Sequence, residues 1–170
     1  MRQTKVILLS SMAAVLVQPL VLLAWLGLPS LFAGESAAFA DVARFSIFAA
    51  FFAIPFVLVV GVPATLLLSR YGKLQWWPLA LIGSLTAMLP IAASGPGGGA
   101  GYSSGGNWRG KVVDYVVDGE PTLYGWLSYL ESITYFGIHG LVGASVFYVV
   151  WRRSMGPNNS FKPKPLRGSA

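Results

Sequence analysis

The sequence predicts an all-α membrane protein. Four transmembrane helices form a small bundle with both termini inside, and a long glycine-rich outer loop has room for a short strand. Three observations carry this. Four apolar stretches, about residues 6–28, 42–69, 76–94 and 123–151, each come close to or exceed the roughly 20 residues a helix needs to cross a bilayer. Hydrophobic residues make up 55% of the chain and charged ones only 11%, against about 25% charged in soluble domains. Third, the basic residues fall on alternating sides of the apolar stretches.

That alternation sets the orientation. Of the 12 Lys and Arg residues, Arg2 and Lys5 precede the first stretch, and Arg70 and Lys73 separate the second from the third. Arg152, Arg153, Lys162, Lys164 and Arg167 follow the fourth. Only Arg44, Arg109 and Lys111 lie on the other side. An excess of Lys and Arg marks the cytoplasmic face, so both termini are expected there. The six acids, Glu35, Asp41, Asp114, Asp118, Glu120 and Glu131, sit on or near the opposite side, in keeping with this. The net charge of +6 therefore reads as topology anchors touching anionic headgroups, not as a nucleic-acid surface.

The first stretch has a competing reading as a signal peptide, with Ala38-Phe39-Ala40 as a small-residue cleavage site. A signal h-region is about 7–15 residues, and this run is far longer, so an uncleaved helix is adopted. Pro19 should kink it and Pro29 should break it. Ser11, Gln18 and Trp25 recur every seven residues and share one face. Such a stripe reads either as a polar path or, more commonly, as a packing seam with one interhelical hydrogen bond.

Residues 33–41 form a short outer loop. The second helix carries Pro55 and Pro63 with Gly61 between them. Two prolines free carbonyls that a neighbour, a hydroxyl or water must satisfy. Either the helix is broken around a binding site or it is a kinked packing helix, the commoner case; no internal repeat supports the first. Residues 70–75 make a tight inner turn. Trp76 and Trp77 follow as an inner aromatic belt. In the third helix Gly83 and Ala87 are spaced for close helix contact.

The loop 95–122 is unusual. Residues 95–110 are half glycine, a composition that stays unordered unless something holds it. Residues 111–118 are rich in valine and favour a strand, and Asp118-Gly119 is a turn signal. One strand is not stable alone, so it is expected to pair with another protein's edge, pack on the helix ends, or lie in the interface. Loops of this length are often functional, which marks the region as a contact surface. The fourth helix opens on Tyr124, Trp126 and Tyr129 and closes on Trp151 and two arginines. Its stripe of Gly137, Gly140 and Ala144, with Gly143 nearby, is the expected helix-packing face.

Residues 156–170 are polar, proline-bearing and expected to be a disordered cytoplasmic tail. The run NNSFKPKPLRGSA at 158–170 resembles a tail at the ends of many unrelated bacterial reading frames, which look like translated repeat DNA. The resemblance implies a bacterial source and a dispensable tail, and nothing about function.

Little in the chain carries recognisable chemistry. Residues 105–111 fit G-x-x-x-x-G-K, but Val112 replaces the Ser or Thr that would hold magnesium, so the match is accidental. Asn158-Asn159-Ser160 fits a glycosylation sequon but falls on the expected cytoplasmic side. No nucleophile elbow, H-E-x-x-H or paired-carboxylate pattern occurs. Cysteine is absent, which excludes disulfides and thiolate metal sites.

The lone histidine, His139, falls roughly 18 Å above the inner boundary, counting residues back from Trp151. Gln18, Glu131 and His139 form the candidate intramembrane polar site, with Tyr135 midway between the last two. In one reading they line a proton or cation path. In the other, neutral His139 hydrogen-bonds Gln18 or a backbone carbonyl while Glu131 is solvated.

The expected function is that of a bacterial inner-membrane accessory or assembly protein, without catalysis, cofactor or metal. Its partners would be the bilayer, a membrane or periplasmic protein met through loop 95–122, or a second copy; no nucleic acid. The alternative is a small oligomeric transporter or channel using the polar residues of helices one and four. An intramembrane enzyme lacks any recognisable catalytic set.

Overall fold

A computed structural model describes residues 2–34 and 36–155. The expected tail, 156–170, lies outside the described residues. Four helices among them are long and apolar enough to cross a membrane: α1 (Thr4–Phe32), α2 (Ala38–Arg70), α3 (Trp76–Ser94) and α4 (Leu123–Met155). A small antiparallel sheet joins α3 to α4, with strands β1 (Ser104–Trp108), β2 (Lys111–Val117) and β3 (Glu120–Pro121) in that order.

Pro29 does not break α1, contrary to expectation. The helix runs on to Phe32, and helical backbone resumes at Ser36 after a turn in which Gly34 takes φ 79°. The outer loop expected at 33–41 is thus mostly helix, and Ala38–Ala40 lies within it. What carries α1 past its proline is a π-helical turn, Leu23–Gly27, in which Leu28 N–H donates to the Leu23 carbonyl five residues back. Val57–Gly61 in α2 does the same two residues before Pro63, where Val62 N–H donates to the Val57 carbonyl. Proline lacks an N–H and its ring crowds the carbonyl four residues back. A wide turn just before it carries one extra residue and lets the helix proceed. Two hydroxyls just beyond the prolines bond back one turn: Ser30 Oγ donates to the Leu26 carbonyl at 3.2 Å and Thr65 Oγ1 to the Gly61 carbonyl at 2.8 Å.

α4 is the central helix. α3 lies antiparallel along one flank, pinned by Trp76 Nε1 donating to Ser145 Oγ (3.0 Å), Ser84 Oγ to the Gly137 carbonyl (3.1 Å) and Tyr129 Oη to the Ala92 carbonyl (2.9 Å). α1 lies along the other flank, and α2 packs chiefly on α1. At the end that carries Trp151 the four helices share a core of Ala14, Leu79 and Phe147, bordered by Val57, Leu68 and Ala144.

Packing here rests on small residues, since lipid removes any hydrophobic drive between helices. A Cβ on Gly83 would stand 2.8 Å from the Gly140 carbonyl oxygen and 2.9 Å from Ala144 Cβ. A Cβ on Gly140 would run into the Gly83 carbonyl, and one on Gly137 into Met88. The face of Gly137, Gly140 and Ala144 therefore sits against Gly83, Ala87 and Met88 of α3.

The valine-rich strand is not alone, which corrects the expectation of an unpartnered one. Its partner comes from the glycine-rich segment itself: β1 pairs with β2 from Ser104 opposite Val116 to Trp108 opposite Lys111. Both turns, Arg109-Gly110 and Asp118-Gly119, put two residues at positive φ, between 49° and 87°. That backbone matches the twist of two-residue hairpins. Gly106 leaves the space across which the Tyr115 ring lies; a Cβ there would stand 2.9 Å from it. Tyr115 Oη then donates to the Asn107 carbonyl at 3.0 Å. Thr122 welds the sheet to α4. Its backbone N–H donates to the Tyr115 carbonyl (2.9 Å), its hydroxyl to the Asp114 carbonyl (2.6 Å), and that hydroxyl accepts from Gly125 N–H (3.2 Å) as a helix N-cap.

Candidate functional site: the polar groups of helices one and four

Gln18 is 5% exposed, in the seam between α1 and α4. Its amide nitrogen donates to the Ala14 carbonyl at 3.0 Å and to the His139 carbonyl at 3.3 Å. Its oxygen lies 2.6 Å from His139 Nδ1. Both amide hydrogens are committed, so the oxygen is the acceptor and Nδ1 carries the ring proton, an assignment made by the hydrogen-bond network. A neutral ring in that tautomer holds its lone pair at Nε2. The space for Gln18 comes from Gly143, where a Cβ would stand 2.7 Å from the amide nitrogen.

His139 Nε2, Tyr135 Oη and Ser11 Oγ are buried and make no hydrogen bond among the described residues. The Tyr135 ring meets His139 edge-on with centroids 4.6 Å apart and lies 5.8 Å from Trp25. Gln18 and Trp25, two members of the seven-residue stripe, thus both face α4, and Ser11 is buried.

Glu131 does not join them. It stands eight residues from His139 on α4, about 12 Å along the axis. Its carboxylate lies 3.6 Å from the Arg109 guanidinium in the β1–β2 turn, with side chains 44% and 75% exposed. Glu131 is thus partly solvated and also faces a cation. Arg109 also sits 5.6 Å over the Trp108 ring, which contacts Tyr124 at 5.7 Å. The structure therefore brings Gln18 and His139 together and sends Glu131 to the sheet. Sequence spacing gives no hint of Arg109 as its partner, because the two meet only through the hairpin.

Between the end of α3, the sheet and the start of α4 lies an open cleft of about 340 Å³, lined in part by Ser94, Tyr102, Tyr115, Tyr129 and Ser132. No charged side chain lines it, and the Ser94, Tyr115, Tyr129 and Ser132 hydroxyls donate to backbone carbonyls. Residues 105–111, the accidental G-x-x-x-x-G-K match, form the β1–β2 hairpin. Among the described residues no group of three or more His, Cys, Asp or Glu is placed to hold a metal ion.

The chain matches no protein-family model, no curated protein and no solved structure.

Proposed function

We propose that this is a multi-pass accessory or assembly protein of the bacterial inner membrane, with both termini cytoplasmic, acting by contact and not by catalysis. The observation that carries this reading is the placement of Glu131. Its pairing with Arg109 takes the one acid of α4 away from Gln18 and His139, so these three residues do not form a continuous polar path. The same ion pair links the β1–β2 turn to α4, on which Thr122 seats the folded sheet. The outer edge of β1 is the natural place for another chain to add a strand. The orientation follows the distribution of Lys and Arg.

In-cell crosslinking, purification in mild detergent and mass spectrometry of co-purifying proteins test it. A stoichiometric partner that is lost with Asn107→Lys, a charge at an exposed position of the edge strand β1, while the variant keeps its melting temperature, supports the reading. A homo-oligomer with no partner overturns it.

The unpaired His139 Nε2 and Tyr135 Oη favour a second reading, an oligomeric transporter or channel. It requires flux in liposomes that His139→Ala abolishes; under the first reading that variant loses only stability.

A further inference from the structure

The depth of the β1–β2 hairpin can be read from the helices beside it. α3 has 19 residues, about 28 Å at 1.5 Å each, close to the ~30 Å hydrocarbon core of a bilayer. Its end at Ser94 therefore marks the edge of that core. The Tyr129–Ala92 hydrogen bond fixes α4 against α3 at this end, so Ser94 stands about level with Leu127. Glu131 then lies roughly one turn below the edge, and Tyr124 roughly one turn above it.

The hairpin tip touches both. Trp108 meets Tyr124 and the next residue, Arg109, reaches Glu131. The tip is thereby held beside the α4 turns that bracket the core edge, where headgroups lie. Its composition suits that layer: Trp108 beside two cations, with Val112 at 90% exposure next to Lys111. Lys111 makes no ion pair among the described residues, and Arg109 is 75% exposed beyond its carboxylate partner. Trp, Lys and Arg at the headgroup level are the usual interfacial anchors.

We propose that the tip, Trp108 to Val112, is a lipid-binding surface. It lies in the headgroup layer, Arg109 and Lys111 face phospholipid phosphate, and Val112 rests among the glycerol and first acyl carbons. A neighbouring protein is not what covers it. This inference rests on the four membrane spans and is independent of the accessory role.

The chain has no cysteine, so Val112→Cys gives one labelling site on an exposed side chain. The labelled full chain is placed in phospholipid nanodiscs without other proteins. Its fluorescence is read against lipids bearing a nitroxide on the headgroup or at mid-chain, and against aqueous iodide. The expected result is loss of fluorescence with the headgroup nitroxide, less loss at mid-chain and little with iodide. Strong iodide quenching without lipid quenching overturns the proposal and leaves a protein as the cover for the tip. Stronger mid-chain than headgroup quenching also overturns it, because the tip would then lie in the core. Adding Glu131→Gln to the labelled chain should raise iodide quenching, since Arg109 loses the partner that holds the tip down. No change in that double variant overturns the ion pair's role in setting the depth.

Discussion

His139 Nδ1 lies 2.6 Å from Gln18 Oε1, joining α4 to α1 across 121 positions of sequence. The glutamine reaches it beside Pro19 and through the gap at Gly143. Interhelical hydrogen bonds of this kind contribute about 0.6 kcal/mol on average and up to about 1.7 in membrane proteins. A double-mutant cycle of Gln18→Leu and His139→Leu, read by reversible unfolding in micelles, should therefore return a coupling of about 0.5–2 kcal/mol. Strictly additive effects would show that the two side chains do not support each other.

Gly143→Ala should reproduce much of the Gln18→Leu loss without touching either partner, because its methyl occupies the amide's place. Combined with Gln18→Leu it should cost little more than Gln18→Leu alone. Thermal unfolding of the three variants checks this, and full additivity would refute it.

Two helical glycines should respond in opposite ways to alanine. Gly83→Ala drives a methyl against the Gly140 backbone and should lower stability by about 1–3 kcal/mol. Gly61→Ala meets nothing closer than 3.9 Å. It should be neutral or stabilising by up to about 1 kcal/mol. Melting temperatures of the purified variants in one detergent decide the matter.

Thr65 is 1% exposed, and its hydroxyl serves the Gly61 carbonyl at the end of a wide turn. Thr65→Val keeps the shape and removes the donor. The expected loss is about 1 kcal/mol, and amide hydrogen exchange should rise locally around Val57–Gly61. Unchanged exchange there would show that the hydroxyl is not needed to close the turn.

Much of the architecture was legible in the sequence because membrane helices announce themselves by length. The apolar stretch at about 76–94 marks α3, and the close approach of Gly83 to Gly140 follows from small residues spaced four apart on each helix. A hydrogen bond from neutral His139 to Gln18 or a backbone carbonyl is one of the two readings its sequence position allows. The sheet was not foreseen: sixteen residues half composed of glycine look unable to order, and nothing local reveals that Gly106 is the seat of the Tyr115 ring. The prolines misled in the same way. Local chemistry says that Pro29 ends a helix, whereas a compensating turn upstream lets it continue. The partner of Glu131 escaped because Arg109 arrives on a hairpin whose first strand lies in the glycine-rich segment, where no strand is expected.

The two wide turns bear on how this chain tolerates gained or lost residues. Each holds one residue more than a regular helix would need. Each comes at the same distance, two positions, ahead of its proline, and the two lie 34 positions apart. Removing one residue from Val57–Gly61 should tighten that turn and leave Thr65 and Ser69 on the faces they now occupy. Removing one from α3 would swing everything beyond the deletion by about 100° and carry the small-residue face away from Gly140. The π-helical turns are thus the places where α1 and α2 can absorb a deletion, and α3 has no such place.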